Sequence, residues 1–98
     1  MAIEFREDDS SYLHWLTDNP DGLVLNTRRR DDPTYMVLHR ARCRSISRYA
    51  SNARHGAFTE PAYVKVCAGN LDELRKWVGR NGRPDGGFSG ECGLCRPL

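Results

Sequence analysis

The sequence predicts a small α+β domain, and three patterns lead to this prediction. Two short apolar stretches joined by a polar connection indicate a β-hairpin, and a later stretch of similar composition indicates a third strand. Two other segments place apolar residues at helical spacing behind residues that favour helix N-termini. The 98 residues fit a single domain, residues 1–98, whose core is thin because only 39% of them are hydrophobic.

The first predicted element is an N-terminal helix. Residues 8–11 are of types that cap helices well, and the turn Asn19-Pro20-Asp21-Gly22 ends the helix. Its apolar residues fall near one face of the helix: Tyr12, Leu13, Trp15 and Leu16. We expect this face to pack into the core, with a partner surface as the alternative.

The hairpin comes next along the chain. Its strands are predicted at residues 23–27 and 34–38, joined by the polar residues 28–33. Residues 44–49 are expected to form a helical turn or irregular chain, and residues 51–61 are expected to form a loop.

The third strand and the second main helix follow this loop. The strand is predicted at residues 63–67, and the helix is capped by Asn70, with a glutamate three residues later at capping-box spacing. Gly82 and Pro84 end the helix, and residues 85–90 are expected to be a flexible approach to the last cysteines. The apolar stripe of this helix consists of Leu71, Leu74, Trp77 and Val78.

One histidine and three cysteines form two pairs that suit a structural zinc ion. His39 and Cys43 form an H-x3-C pair after the hairpin, and Cys92 and Cys95 form a C-x2-C pair near the end of the chain. Zinc binds thiolates and neutral imidazole in tetrahedral geometry, and a C-x2-C turn can bring two sulfurs to one ion. A metal crosslink between distant segments would also stabilise a domain with a thin core. We therefore predict one structural Zn²⁺ held by these four residues.

Cys67 leaves an alternative open. It could replace His39 in a four-cysteine site, remain a free thiol near the metal, or lie in the core, and its position at a strand end favours the core. A redox dithiol is the alternative for the C-x2-C pair, but the pair lacks the helix N-terminus and βαβ setting of such sites. His14 and His55 have no partner at ligand spacing, and we interpret them as ordinary polar residues.

Charge is distributed unevenly along the chain. The net charge is +2, yet residues 1–27 hold six acids against one arginine, and residues 28–54 hold eight arginines against two aspartates. Guanidinium groups suit phosphate contacts, so the basic segment predicts a nucleic-acid-binding surface, with a solvated face balanced by the acidic segment as the alternative. The candidate residues are Arg28, Arg29, Arg30, Arg40, Arg42, Arg44 and Arg48.

The sequence also predicts the cellular compartment of the protein. No stretch approaches the roughly 18 apolar residues of a membrane span, and the acidic residues 1–7 lack the residue order of a signal peptide. We therefore expect a cytoplasmic protein without membrane contact. In that compartment a C-x2-C pair is more typical of a metal or redox site than of a disulfide framework.

The order of the ligand pairs carries a resemblance to a known family. The chain has a strand, the segment His39-Arg40-Ala41-Arg42-Cys43-Arg44, a further strand, a helix with Leu71 and Leu74, and the segment Glu91-Cys92-Gly93-Leu94-Cys95-Arg96-Pro97. This order resembles the zinc-binding domain of Ada-type DNA-alkylation-repair proteins, which reads C-R-P-x-C-R at its first ligand pair and P-C-x-R-C-x-P at its second. The resemblance covers about residues 22–97 and leaves residues 1–21 as an N-terminal helical addition.

The resemblance implies a small α+β zinc domain whose basic surface meets the phosphate backbone of DNA. In that family the first cysteine of the first pair also accepts a methyl group from a phosphotriester. His39 stands at that position here. An imidazole can hold zinc but offers no thiolate acceptor, so we expect binding without methyl transfer.

Two functions of different classes are therefore expected. The first is a zinc-stabilised nucleic-acid-binding or accessory module. The second is a protein–protein interaction module, an adaptor or inhibitor with purely structural zinc, which would dock through the acidic segment around Tyr12 and Trp15. Catalysis has little support, because His39 or His55 with Cys67 would lack a third group, and two adjacent aspartates are too few for a nuclease.

Overall fold

Five β-strands and two α-helices make up the part of the chain that the structure describes. This computed structural model describes residues 2–28, 32–47, 59 and 63–98. The strands are β1 (Ile3–Phe5), β2 (Leu23–Arg28), β3 (Met36–Arg40), β4 (Tyr63–Ala68) and β5 (Gly90–Glu91), and the helices are α1 (Asp9–Asp18) and α2 (Leu71–Arg80). The predicted α+β class is confirmed, with its hairpin, its third strand and both of its helices.

The strands form one mixed sheet in the order β1-β4-β2-β3-β5. β2 and β3 are the predicted hairpin, and their antiparallel register places Val24 opposite His39 and Leu25 opposite Leu38. β4 pairs antiparallel with β2 and β1 pairs antiparallel with β4, whereas β5 pairs parallel with β3. Sequence patterning does not predict β1 and β5, because strands of three and two residues are too short to show a two-residue alternation.

One side of the sheet packs against α2. The side chain of Asn70 accepts the backbone N–H of Glu73 at 3.0 Å, so the predicted helix cap is confirmed. The buried core on this side consists of Leu25, Met36, Leu38, Val66, Ala68, Leu74 and Val78. Leu71 and Trp77 pack against its edge, which confirms the predicted stripe. Aliphatic burial is therefore the main source of stability on this side.

The opposite side of the sheet packs against α1. This helix begins after Asp8, whose side chain accepts the backbone N–H of Ser11, and it ends before Asn19. Tyr12 is fully buried, and its hydroxyl donates to the carbonyl oxygen of Ile46 at 2.6 Å. The predicted core packing of this helix is confirmed, so Tyr12 is not part of an exposed docking surface. The core on this side consists of Phe5, Tyr12, Leu16, Val24, Ala41, Cys43, Ile46 and Cys67, with Leu13 and Trp15 packed against it.

The segment between α2 and β5 is held by hydrogen bonds, which differs from the flexible approach expected from its composition. Gly82 follows the helix with a φ of 113°, a conformation that glycine adopts without strain. The guanidinium of Arg83 then donates to three carbonyl oxygens, those of Gly87 and Pro33 at 2.6 Å and that of Phe88 at 3.3 Å. Local composition gives no sign of such a contact, because it depends on how distant segments meet.

The N-terminal segment belongs to the same fold. It supplies the edge strand β1 and the buried face of α1, so residues 2–21 contribute to the sheet and to the core. Neither ten-residue helix in the described part of the chain is long and apolar enough to cross a membrane. The predicted turn after the hairpin appears as a short 3₁₀ helix, Arg44–Ile46, and the loop predicted at residues 51–61 lies outside the described residues except for Thr59.

Candidate metal centre

Strands β3 and β5 bring two of the predicted ligands together. Their parallel register places Leu38 beside Glu91, so His39 and Cys92 follow as the next neighbouring pair. The backbone N–H of Cys92 donates to the carbonyl oxygen of Leu38 at 2.8 Å, which extends the strand pairing to the ligand itself. His39 is only 7% exposed, so its imidazole is largely shielded from water.

A tight turn after β3 brings Cys43 back toward His39. The backbone N–H of Cys43 donates to the carbonyl oxygen of Arg40 at 3.0 Å, and the short 3₁₀ helix begins directly after Cys43. Ala41 and Ile46 are buried before and after it in the α1-side core. Apolar packing therefore holds the turn that carries the second ligand.

Arg40 holds the C-terminal cysteine pair against β3. Its backbone N–H donates to Sγ of Cys95 at 3.3 Å, and its guanidinium donates to the carbonyl oxygens of Cys95 at 3.0 Å and Arg96 at 3.1 Å. The backbone N–H of Arg96 in turn donates to the carbonyl oxygen of Cys92 at 2.9 Å. Sequence analysis missed this role, because Arg40 and Cys95 lie 55 residues apart.

The four predicted ligands meet at one place. Their ligand atoms, from His39, Cys43, Cys92 and Cys95, all lie within 4.8 Å of one another. All the cysteines are free thiols, and the Sγ atoms of Cys43 and Cys92 are 3.7 Å apart. Two sulfurs bound to one zinc ion at about 2.3 Å in tetrahedral geometry lie about 3.8 Å apart. These four residues can therefore bind one metal ion.

The protonation state of His39 suits metal binding. Burial and, to a smaller extent, the charge of Lys65 lower the pKa of His39 from 6.5 to about 4. The imidazole is therefore neutral at neutral pH and keeps a nitrogen lone pair for a metal ion.

The three thiols interact with one another and with the backbone. Burial raises the pKa of Cys92, but hydrogen bonds outweigh this effect and lower it to about 7. The donors are the backbone N–H groups of Cys95 and Leu94, followed by the side chains of Cys43 and Ser45. Burial raises the pKa of Cys95 to about 11; the backbone N–H of Arg40 lowers it, and the neighbouring thiols raise it further. Three thiolates at such separations repel, so a bound cation favours their joint ionisation.

Ser45 is a further polar group at the centre, and sequence analysis did not single it out. Its Oγ lies 3.0 Å from Sγ of Cys43 and 3.9 Å from Sγ of Cys92. The same oxygen lies 3.5 Å from Nδ1 of His39. A hydroxyl here can donate to a metal-bound thiolate and orient it. Its spacing from Cys43 has no distinctive signal that could have identified it.

Cys67 lies in the core, apart from the four ligands. It stands opposite Val24 on the sheet, and Val24 in turn stands opposite His39. Two strand spacings, about 10 Å, therefore separate Cys67 from His39. Cys67 is fully buried, and this burial raises the pKa of its thiol. Cys67 could have been a metal ligand, a thiol near the metal or a core residue, and the structure shows it in the core.

Three of the predicted phosphate-binding arginines lie in the segment that carries His39 and Cys43. They alternate with buried residues and are all exposed: Arg40, Arg42 and Arg44. The guanidinium of Arg42 forms an exposed ion pair with Asp21 at 3.1 Å. Arg40 and Arg42 also line a cavity of about 300 Å³ with residues 20–23. This end of the molecule therefore combines positive charge with a concave surface.

Arg28 lies at the opposite end of the hairpin. Leu23 at the start of β2 stands opposite Arg40, and Arg28 lies five residues further along the same strand. The two ends of the strand are about 17 Å apart. The guanidinium of Arg28 pairs with Asp32 at 3.2 Å and lies over the rings of Tyr35 and Tyr63. The four described candidates for phosphate binding are therefore divided between the two ends of the hairpin. The other arginines predicted to contact phosphate lie outside the described residues: Arg29, Arg30 and Arg48. His55 also lies outside them.

Comparison of the chain with protein-family models, with curated proteins and with solved structures found no match. The resemblance to the Ada-type zinc domain therefore stays a prediction from ligand order and spacing.

Proposed function

We propose that this protein is a zinc-stabilised nucleic-acid-binding module without methyltransferase chemistry. The observation that carries the proposal is the alternation in the segment after β3. Ala41 and Cys43 are each 3% exposed, while the arginines on either side of them are exposed. A metal ion bound by Cys43 would therefore fix the backbone from which three arginine side chains project.

Zinc is the metal that the donor set fits best. Thiolates and imidazole are typical zinc ligands, whereas magnesium and calcium prefer oxygen. The separation of 3.7 Å between the sulfurs of Cys43 and Cys92 suits a tetrahedral zinc ion. Four protein ligands are typical of structural zinc sites, because catalytic sites keep one position for water or substrate. The cytoplasm, where we expect the protein to act, keeps such thiols reduced.

The arginines around the centre support nucleic acid as the partner. Contacts with several phosphates release counterions and make binding steeply dependent on salt. The ion pair of Arg42 with Asp21 is exposed, and such pairs contribute only about 0–1 kcal/mol. A phosphate can therefore replace Asp21 at little cost. Arg40 differs, because its guanidinium already holds two carbonyl oxygens of the C-terminal segment.

The proposal includes no methyl transfer because the ligand set lacks the required acceptor. By the resemblance to the Ada-type domain, the acceptor position corresponds to His39. A largely buried neutral imidazole can hold zinc there but lacks an activated thiolate. His39→Cys is expected to keep the zinc ion, because thiolate is an equally good tetrahedral ligand.

Binding titrations with labelled duplex and single-stranded DNA and RNA at low salt test the proposal. Arg42→Ala and Arg44→Ala should each weaken binding to all sequences and reduce the salt slope by about 1. Arg80→Ala is the matched control, because it removes the same charge from α2 on the other side of the sheet. Absence of binding by the zinc-loaded protein, or an equal effect of the control, would count against nucleic acid.

The alternative is a protein–protein interaction module in which zinc is purely structural. Leu94, between the last two cysteine ligands, is 70% exposed, and Leu98 is 63% exposed. Exposed leucines beside a rigid metal site suit an apolar contact with a partner. Co-purification of a stoichiometric partner that survives high salt, and that is lost in Leu94→Ser, would favour this alternative.

A further inference from the structure

Arg28, Tyr35 and Tyr63 form a group at the end of the hairpin away from the metal centre, here called the tyrosine patch. The two ring centroids are 5.5 Å apart, with an angle of 50° between the rings. The guanidinium carbon of Arg28 lies 5.0 Å from the centroid of Tyr35 and 5.9 Å from that of Tyr63. Both tyrosines are partly exposed, and the side chain of Arg28 is 49% exposed. Two aromatic rings and a cation therefore meet at the surface.

The register of the sheet explains why these three side chains meet. Tyr63 on β4 stands opposite Arg28 on β2, and Tyr35 directly precedes β3 on the other side of Arg28. Val24 lies four residues before Arg28, so both face the same side of the sheet, and Val24 is opposite His39. The tyrosine patch therefore shares a face with the metal centre, about 13 Å further along the strands.

Arg28 also retains hydrogen-bonding capacity for a ligand. Its Nε pairs with Asp32 at 3.2 Å, whereas Nη1 and Nη2 have no hydrogen bond or ion pair within the described residues. The guanidinium lies over the faces of the two rings, which is the geometry of a cation–π interaction. Two more arginines, Arg29 and Arg30, follow directly in the sequence.

We propose that the tyrosine patch stacks the bases of single-stranded nucleic acid, while Arg28 contacts the adjacent backbone. Unpaired strands expose the faces of their bases, which a duplex buries between neighbouring pairs. Proteins that bind unpaired strands combine positive charge with aromatic or arginine surfaces on which successive bases stack, often on a β-sheet. This inference rests on the proposed nucleic-acid function and names its substrate as unpaired DNA or RNA.

Fluorescence anisotropy with labelled oligothymidine, oligouridine and a duplex of equal length tests this proposal. The zinc-loaded protein should bind at least one of the single strands more tightly than the duplex, and the first two probes separate DNA from RNA. Tyr35→Leu and Tyr63→Leu should each weaken single-strand binding about tenfold and leave the salt slope unchanged, because stacking releases no counterions. Tyr35→Phe keeps the ring and should bind like the unsubstituted protein.

The NMR signals of the Tyr35 and Tyr63 rings give a second readout that needs no substitution. These signals should shift when oligothymidine or oligouridine is added, because the ring current of a stacked base changes the magnetic field at the protons of the tyrosine ring. The stacking proposal would be overturned if both leucine variants bound single strands as tightly as the unsubstituted protein and the ring signals did not shift. If Arg42→Ala still weakened binding in that case, the proposed function would stand. Tighter binding of the duplex than of either single strand would also overturn the stacking proposal. Failure to bind any of the three probes would overturn both proposals.

Discussion

The α2 side of the sheet is closed by aliphatic packing, whereas the α1 side also buries charged groups and candidate metal ligands. Leu38 and Leu74 are representative of the first side, and both are fully buried among other apolar residues. The buried groups associated with the second side include Asp9, His39 and Lys65. Buried polar groups cost free energy unless they find partners. The two sides therefore depend on different kinds of interaction.

The contacts of Asp9 and Lys65 show what the α1 side requires. Oδ1 of Asp9 accepts the backbone N–H of Thr59 at 2.9 Å and its hydroxyl at 2.7 Å, and Nζ of Lys65 donates to Asn26 at 2.9 Å. Removing one partner weakens the contacts that offset the cost of burying such a group. Truncating an aliphatic side chain instead costs stability according to the atoms removed and the cavity left. The α1 side is therefore the more sensitive to a single lost partner.

The largest effect is expected when one metal ligand is removed. Cys43→Ala should release the metal ion and unfold the domain, because structural zinc sites contribute apparent free energies of about 10–16 kcal/mol. Such a loss is as large as the whole stability of a typical domain, about 5–15 kcal/mol. Metal analysis together with circular dichroism of the purified variant measures both effects.

Cys67→Ala is the matched control for this substitution. Cys67 is a buried cysteine of the same α1-side core but lies outside the ligand set. Its replacement should cost about 1 kcal/mol for the lost packing and should leave the metal content unchanged. Release of metal from this variant would mean that the ligand set has been wrongly assigned.

A smaller effect is expected on the α2 side. Leu74→Ala should lower the free energy of unfolding by about 2–5 kcal/mol, because Leu74 is fully buried. The folded variant should keep its full metal content. Leu71→Ala, at the partly buried edge of the same helix face, should cost less, and urea titrations of both variants give the comparison. Metal loss from folded Leu74→Ala would show that the two sides are not independent.

Mild acid is expected to act through His39, and the part that comes from the protonation of this residue alone should be smaller than the effect of removing a metal ligand. The pKa of His39 is lowered to about 4 in the folded chain, so between pH 6.5 and 4 the unfolded chain binds more protons at this residue. Stability should therefore fall as the pH decreases through this range, and displacement of metal from a protonated imidazole acts in the same direction. Unfolding titrations at several pH values measure the slope. Loss of the slope in His14→Gln, which removes an exposed histidine of α1 and keeps His39, would refute the assignment to His39.

The ligand set could be predicted from the sequence because spacing within each pair reflects local chain geometry. His39 ends a recognisable strand and Cys43 follows within one turn, while Cys92 and Cys95 belong to a C-x2-C turn. The hairpin and both helices were predictable for the same reason, since their periodic patterns extend over several residues.

The contacts that hold the centre together could not be predicted in this way. β5 has two residues, yet its pairing with β3 brings Cys92 to His39. Arg40 and Ser45 read as surface residues in the sequence, and their contacts with the cysteines exist only after distant segments meet. The prediction of one arginine-rich surface likewise used sequence proximity, whereas the strands carry Arg28 to the far end of the hairpin.

X-ray absorption spectroscopy of the protein purified without chelator tests the proposed metal site most directly. We expect one zinc ion per chain with three sulfur ligands at about 2.3 Å and one nitrogen ligand at about 2.0 Å. A shell of four sulfurs would contradict the role of His39 and bring Cys67 into the site. Absence of zinc, or a disulfide among Cys43, Cys92 and Cys95, would contradict the structural metal centre itself.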